Sequence, residues 1–265
     1  MKADLDIQAV SRNGISHLGR CYFSPPFKVM NITEDKTQAQ LHLMLMSSSP
    51  GILDGDEYNL KISVEENASL QLFTQSYQRL FNMKQGAIQK TDIHLADNAA
   101  FCFLPHPAVP QKQSNFTSIN KIYLSNNNSL IFGEILTCGR KLNGEIFRFS
   151  KYHSLTEIYL NNKLVVKENL LIEPSTININ AIGQLEGHTH QGSLIVINND
   201  LDLNAMNDFI THHLSQQKDI EFGVSALSIK GLIVRIMGQK AEQLHDCLKY
   251  IASYISSYKI LANAI

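Results

Sequence analysis

The sequence has few cysteines, and none of them are spaced to act as a pair. Its 265 residues include four, Cys21, Cys102, Cys138 and Cys247, which lie far apart and form no C-x-x-C motif. This spacing argues against a structural zinc site and against a redox dithiol. Buried free thiols are the expectation, because disulfides are rare in compartments that keep thiols reduced. The sequence therefore predicts a cytoplasmic protein.

Long apolar runs and a strong net charge are also missing. No run approaches the roughly 20 apolar residues of a membrane-spanning helix, and the first ten residues, MKADLDIQAV, lack the apolar segment of a secretory signal. The formal net charge is −1, only 18% of residues are charged, and there is no Lys/Arg-rich run. Without a basic patch there is no electrostatic basis for binding nucleic acid or an anionic membrane, and we expect neither partner.

The common catalytic signatures are absent as well. The chain contains no G-x-S-x-G nucleophile elbow, no H-E-x-x-H zinc motif, no phosphate-binding lysine loop and no glycine-rich dinucleotide fingerprint. Nothing in the sequence around the cysteines supports a Cys-His catalytic pair. The sequence therefore gives no direct indication of an enzyme.

Short strands separated by turn residues are what the chain does contain. Apolar residues alternate with polar ones in segments such as Leu60–Val64, and turn signals recur about every ten residues, which is typical of an all-β body. Two helices are predicted near the end, over Leu203–Gln216 and over a stripe from Ala241 to Tyr258. We predict one mostly β domain over residues 1–265: an irregular, stacked, β-helix-like body over 1–190 and a mixed part over 191–265 with both helices.

The segment from Leu130 to Phe149 carries polar residues on predicted strands. We expect two strands joined by a turn at Asn143-Gly144, since Asn-Gly favours hairpin turns. Glu134, Arg140 and Glu145 then lie close together on a stiff element, where an arginine can hold carboxylates with paired hydrogen bonds. Two interpretations remain open: an ion pair that fixes a turn, or a polar surface that faces a partner or a metal.

Two further clusters are candidate sites. Asp54, Asp56 and Glu57 follow a turn and fit either a pair of catalytic carboxylates, as in enzymes that cleave sugars, or a weak oxygen-rich cation site, or solvated turn residues. His188 and His190 are predicted to share one side of a strand, a spacing that suits nickel or zinc, although a structural or purely surface role is favoured for them.

Four motifs occur in order along the chain and a shorter one follows them: Ser49–Asp56 (SPGILDGD), Thr74–Ser76 (TQS), Leu104–Pro107 (LPHP), Gly139–Phe147 (GRKLNGEIF) and the later Leu171–Pro174 (LIEP). Together they resemble the urease accessory protein family UreD/UreH, and the UreH branch most closely. Two departures from the family pattern are Arg79, where the family often has Lys, and the absence of tryptophan.

The resemblance implies a scaffold without enzymatic activity. Such proteins bridge apo-urease to a complex of UreF and the GTPase UreG, with UreF in direct contact, and they help to deliver nickel through an internal polar route. No tightly bound cofactor is implied, only nickel in transit. Our candidates for the route are Asp56, Glu57, Glu134 and Glu145, with Arg140 in support and with His188 and His190 as an alternative. The competing hypothesis is a carbohydrate-active enzyme that uses Asp54, Asp56 and Glu57.

Overall fold

Two stacked β-sheets make up most of the molecule. The computed structural model describes residues 1–262, with side chains up to residue 256. Sheet A has the spatial order β14-β13-β11-β8-β5-β1-β2. Its strands are β1 (Lys2–Arg12), β2 (Ile15–Phe23), β5 (Glu57–Val64), β8 (Ala87–Leu95), β11 (Asn115–Leu124), β13 (Lys151–Leu160) and β14 (Lys163–Ile172).

Sheet B faces sheet A and has the main order β16-β17-β15-β12-β9-β6-β4-β3, with β10 pairing β12 and β7 at one side. Its strands are β3 (Phe27–Asn31), β4 (Leu41–Ser47), β6 (Ser69–Thr74), β7 (Gln78–Leu80), β9 (Ala100–Phe103), β10 (Ala108–Pro110), β12 (Ser129–Thr137), β15 (His190–Asn198), β16 (Ile220–Ala226) and β17 (Gly231–Gly238).

The chain alternates between the two sheets from β4 to β13. Successive coils add strands in parallel, as in the pairs β5–β8 and β8–β11 in sheet A and β6–β9 and β9–β12 in sheet B. Alternating residues of each strand then point into the space between the sheets, where Leu60, Ile62 and Ile93 are among the buried residues. The prediction of a mostly β, stacked, β-helix-like body is confirmed.

Both predicted helices are present in the last third of the chain, and they cover part of the outer face of sheet B. Helix α1 (Leu203–Ser215) begins after Asp202, whose carboxylate accepts hydrogen bonds from the amides of Asn204 and Ala205. Helix α2 (Ala241–Ala262) buries the predicted stripe of Leu244, Leu248, Ile251 and Ile255. The side chain of Tyr258, also predicted for this stripe, lies outside the described residues.

The hairpin predicted over Leu130–Phe149 is wrong in its second half. Strand β12 forms, but Lys141–Asn143 is a turn of 3₁₀ helix and no strand follows it before β13. Strand β12 already pairs with β9 on one side and with β15 on the other, so no edge is left for a hairpin partner. The backbone of Phe147 also has φ of 51°, which breaks an extended strand.

Other local predictions need smaller corrections. The Pro-rich segment after Leu104 contains the three-residue strand β10, although its prolines favour irregular structure. Between the end of β6 at Thr74 and the start of β8, only Gln78–Leu80 is a strand. All four cysteines are free, and Cys21 alone is not fully buried. Within residues 1–262, no helix is both long enough and apolar enough to cross a membrane.

Candidate functional site

Glu134 lies between the two sheets, where its side chain is half-buried because it borders two cavities. It occupies the middle of β12, on the same side as the core residues Phe132 and Leu136. Its carboxylate accepts hydrogen bonds from Ser154 Oγ, at 2.7 Å to Oε1 and 2.9 Å to Oε2, and from Asn120 Nδ2 at 3.3 Å. Both donors belong to sheet A, so this carboxylate links the two sheets.

The inner face of sheet A carries a polar band opposite Glu134. Register places Asn120 directly between Thr91 and Thr156 on neighbouring strands, and it pairs Ser118 with Ser154. All five side chains are buried. Asn120 Nδ2 also donates to Thr156 Oγ1 at 3.1 Å. We call these residues the polar band: Thr91, Ser118, Asn120, Ser154 and Thr156.

The electrostatics of Glu134 follow from its position. Burial raises the pKa of Glu134, and the negative charge of Glu168 adds to the rise, whereas the hydrogen bonds from Ser154 and Asn120 oppose it. Burial also raises the pKa of the nearby Tyr152 hydroxyl, with a further contribution from Glu134. Among the described residues, Glu134 has no ion pair with a cationic side chain. A buried carboxylate without a cationic partner is suited to receiving a cation.

Two cavities border Glu134, one on each side. The first, of about 160 Å³, lies between the sheets and extends from Ser118 and Asn120 to the segment 74–79. The second, of about 460 Å³, extends from Ser154 toward β14 and β17. Glu134 and Tyr152 line both cavities. We call the two cavities together the passage.

An ion pair stands at the outer part of the second cavity. Arg235 Nη2 on β17 donates to both oxygens of Glu168 on β14, at 2.6 Å and 2.8 Å. Glu186 and Glu221 line the same cavity. Carboxylates therefore occur both at Glu134 and along the outer part of the passage.

Asp56 is buried but lies beside the passage and not in it. Its Oδ1 accepts from the amine of Met1 at 2.9 Å, and its Oδ2 accepts from the Leu53 amide at 2.8 Å and from Tyr58 Oη at 3.1 Å. The ring of Tyr58 lines the first cavity and separates it from Asp56. These contacts satisfy Asp56 as a structural residue that fixes the start of β5.

The two neighbours of Asp56 are more exposed and point to different partners. Asp54 accepts hydrogen bonds from the amides of Gln85 and Gly86 at 2.8 Å and 3.0 Å, as a turn residue does. Glu57 lies near Lys90 at 3.5 Å and Lys2 at 3.8 Å. The three predicted carboxylates therefore do not converge on one site.

Arg140 and Glu145 form a bidentate ion pair at the surface, separate from Glu134. Arg140 Nε donates to Glu145 Oε2 at 2.9 Å and Nη2 donates to Oε1 at 2.5 Å. These hydrogen bonds lower the pKa of Glu145. Neither residue lines the passage. The expectation that Glu134, Arg140 and Glu145 lie together is wrong, because the chain leaves the sheet after Thr137.

His188 and His190 do not share a strand. His190 begins β15 and is buried, with Nδ1 at 2.7 Å from Thr189 Oγ1, whereas His188 precedes the strand, with Nδ1 at 3.1 Å from the Leu185 carbonyl oxygen. Burial, with a smaller effect of Lys141, lowers the pKa of His190 to about 4. Across the described part of the chain, no three His, Cys, Asp or Glu side chains are grouped as a metal site.

The sequence analysis did not identify the polar band, although β11 contains a signal for it. In NFTSINKIY, the alternation places Ser118 and Asn120 on the same side as Phe116 and Ile122. A polar pair on the apolar side of a strand indicates a buried polar function. The same signal was available for Ser154 and Thr156 on β13.

Comparison with known proteins gives consistent matches over the whole chain. A family model described as UreD urease accessory protein matches residues 1–264. A Flavobacterium johnsoniae protein named urease accessory protein UreD is 45% identical over 248 residues, which cover 93% of this chain and 90% of the relative. Proteins of the same name from Actinobacillus pleuropneumoniae serotype 5b and Acetivibrio thermocellus are 35% and 34% identical, over 94% and 95% of this chain and 94% and 96% of their own lengths.

Proposed function

Since the chain belongs to the UreD family of urease accessory proteins, which act in urease maturation and are not enzymes, we propose that it is a cytoplasmic scaffold that conducts nickel to apo-urease through the passage. The family membership removes the competing hypothesis of a carbohydrate-active enzyme. The separate contacts of Asp54, Asp56 and Glu57 agree with that outcome.

The observation that carries this proposal is the position of Glu134 at the border of both cavities. Ni²⁺ must be held weakly enough to be released, and one carboxylate with neutral amide and hydroxyl groups around it binds less tightly than a cluster of imidazoles or thiolates. When the cation arrives, it replaces the proton that burial favours on Glu134. Nickel is cargo in this scheme, and no tightly bound cofactor is required.

The proposed scaffold role indicates which partners lie at the two ends of the nickel route. In our proposal UreF binds this chain directly, UreG joins through UreF, and apo-urease receives the metal at the other end. The carboxylates Glu186 and Glu221 along the second cavity would attract a cation toward Glu134, whereas Glu168 is already paired with Arg235. Asp56, Glu57 and Glu145 lie off this path, so we retain Glu134 alone from the four predicted carboxylates.

The test replaces Glu134 in cells that express urease and all its accessory proteins. Glu134→Ala is expected to lower the nickel content of purified urease by at least about fivefold, since the single anionic group that borders both cavities is lost. Nickel is measured by mass spectrometry, and assembly is measured by co-purification with UreF. Glu57→Ala, at an exposed carboxylate outside the passage, is the matched control. Full nickel content with Glu134→Ala would refute the route, whereas loss of the complex would show a structural role.

A further inference from the structure

Part of the outer face of sheet B is apolar and is not covered by the helices. Helices α1 and α2 pack on β12, β15, β16 and β17. Beyond them, register places Met30, Met44 and Phe73 directly side by side on β3, β4 and β6. Met46 follows on the same side of β4, since it lies two residues after Met44. We call Met30, Met44, Met46 and Phe73 the uncovered face.

The exposure of these side chains is unusual for the middle of a sheet. Met30 is 45% exposed, and Met44, Met46 and Phe73 are each half-buried. The opposite sides of the same strands bury Leu41, Leu43 and Leu72 in the core. The outer face of sheet A presents charged side chains to solvent. Strands β3 and β4 present methionines instead, and methionine side chains adapt their shape to a bound protein surface.

The dimensions and setting of the uncovered face fit one helix. Strands lie about 4.8 Å apart, so β3, β4 and β6 span about 10 Å, close to the diameter of an α-helix. A shallow groove already runs between this face and α2, lined by Phe73 and Leu104 on the sheet and by Lys249 and Ser253 on the helix. A helix placed there would lie beside α2 and continue the helical layer over the rest of the sheet.

Charges at the border of the uncovered face indicate the composition of that helix. Lys28 pairs with Met46 across β3 and β4 and is exposed, and Lys249 is exposed on α2 at the other side. Within the described residues, neither lysine has an ion-pair partner. Two acidic residues lie in the surroundings: Asp246 precedes Lys249 by three residues on α2, and Glu34 acts on His42 toward the other end of β4. The occupant therefore needs acidic residues beside its apolar stripe.

We propose that the uncovered face docks an amphipathic helix of a partner protein, with an apolar stripe flanked by Asp or Glu residues that meet Lys28 and Lys249. This inference deepens the scaffold role proposed above and rests on it only for the existence of a partner. It does not depend on the passage or on nickel.

The test uses the full chain and two designed helical peptides measured by fluorescence anisotropy. Both peptides carry Leu at i, i+3, i+4 and i+7, and their flanking positions are Glu in one and Lys in the other. The Glu peptide is expected to bind at least roughly tenfold more tightly than the Lys peptide. The double variant Lys28→Glu with Lys249→Glu is expected to reverse that preference. Equal binding of the two peptides, or no binding of either, would overturn the proposal.

Two single variants distinguish peptide binding at the uncovered face from nonspecific hydrophobic binding. Met30→Glu is expected to abolish binding of the Glu peptide, whereas Leu164→Glu leaves it unchanged, because Leu164 has a similar exposure of 42% on sheet A, far from the face. Light scattering of the unmodified chain tests the other occupant. Dimers that disappear with Met30→Glu would show that a second copy covers the face and would overturn the partner-helix proposal. Neither assay contains urease or nickel, so failure of the route leaves both readouts intact.

Discussion

At the scale of single residues, Glu134 combines a destabilising position with a proposed function. Burial raises the pKa of its carboxyl group, so the folded chain holds this proton more tightly than the unfolded chain does. Stability is unaffected below the ordinary glutamate pKa and falls as the pH rises through the folded-state pKa. If the residue at position 134 served folding alone, a glutamine there would avoid this loss of stability at higher pH.

Glu134→Gln is therefore expected to make the protein more stable at neutral and alkaline pH. Glutamine keeps an acceptor for Ser154 but carries no charge to desolvate. Melting temperatures of the two proteins are expected to converge near pH 4 and to diverge as the pH rises toward 8. Glu57→Gln is the control, since this exposed side chain lies outside the interior. A constant difference at all pH values would contradict the burial of a charge at Glu134.

Asp56 is expected to matter for stability and not for the passage. Asp56→Ala removes the acceptor for the Met1 amine, the Leu53 amide and the Tyr58 hydroxyl, of which the Tyr58 contact is buried. Unsatisfied buried donors cost about 1–3 kcal/mol each, so we expect a loss of about 3 kcal/mol in the free energy of unfolding. Denaturant titration measures it, with Glu57→Ala expected to change stability by less than about 0.5 kcal/mol.

At the scale of elements, the outer face of sheet A shows how register is specified. Cross-strand pairing joins Lys61 to Asp92, Asp92 to Lys121 and Lys121 to Glu157. The row begins at Asp6 on β1 and ends at Lys167 on β14, so charges alternate across six strands. A shift of any strand by one residue would move its charge from this face to the apolar interior.

Lys121→Glu tests this row at its centre. The substitution places three like charges on adjacent strands, and directly opposed like charges in a sheet are destabilising. We expect the free energy of unfolding to fall by about 1 kcal/mol at low salt. This loss is expected to be smaller in 1 M salt, where charges more than about 3 Å apart are screened. Lys121→Gln, which removes the charge without reversing it, is expected to cost about half as much. A salt-independent loss would assign the effect to packing.

The elements that could be predicted from sequence are those whose information is local. Alternating strands such as Leu60–Val64 and the α2 stripe depend on neighbouring residues and were predicted correctly. The second strand of the 130–149 hairpin failed because its partner edge on β12 is occupied by β15, which lies about 50 residues later. Glu134 was identified as a polar residue on a predicted strand, whereas its donors Ser154 and Asn120 became visible only when register joined distant strands.

At the scale of the whole molecule, two stacked sheets rarely enclose polar groups, because a close-packed apolar interior is more stable. Here the polar band on sheet A and Glu134 on sheet B face one another, with cavities on both sides. The enclosed polar groups lower the stability of the fold, but the chain also has an extensive apolar core above and below the band. A costly polar interior of this kind would serve the proposed transport role, whereas a purely structural scaffold would not need it.

An apolar side chain that narrows the first cavity distinguishes a transport role from a purely structural one. Ser118→Leu places an apolar group in this cavity, and burying it is expected to leave stability unchanged or to raise it by up to about 1 kcal/mol. If nickel passes through the cavity, the same variant is expected to lower the nickel content of urease at least about fivefold while it still co-purifies with UreF. Ser63→Leu makes the same change on the outer side of β5 and is expected to leave nickel content unchanged. Full nickel loading in a stable Ser118→Leu protein would exclude this cavity from the route, because the added side chain narrows the cavity beside Glu134.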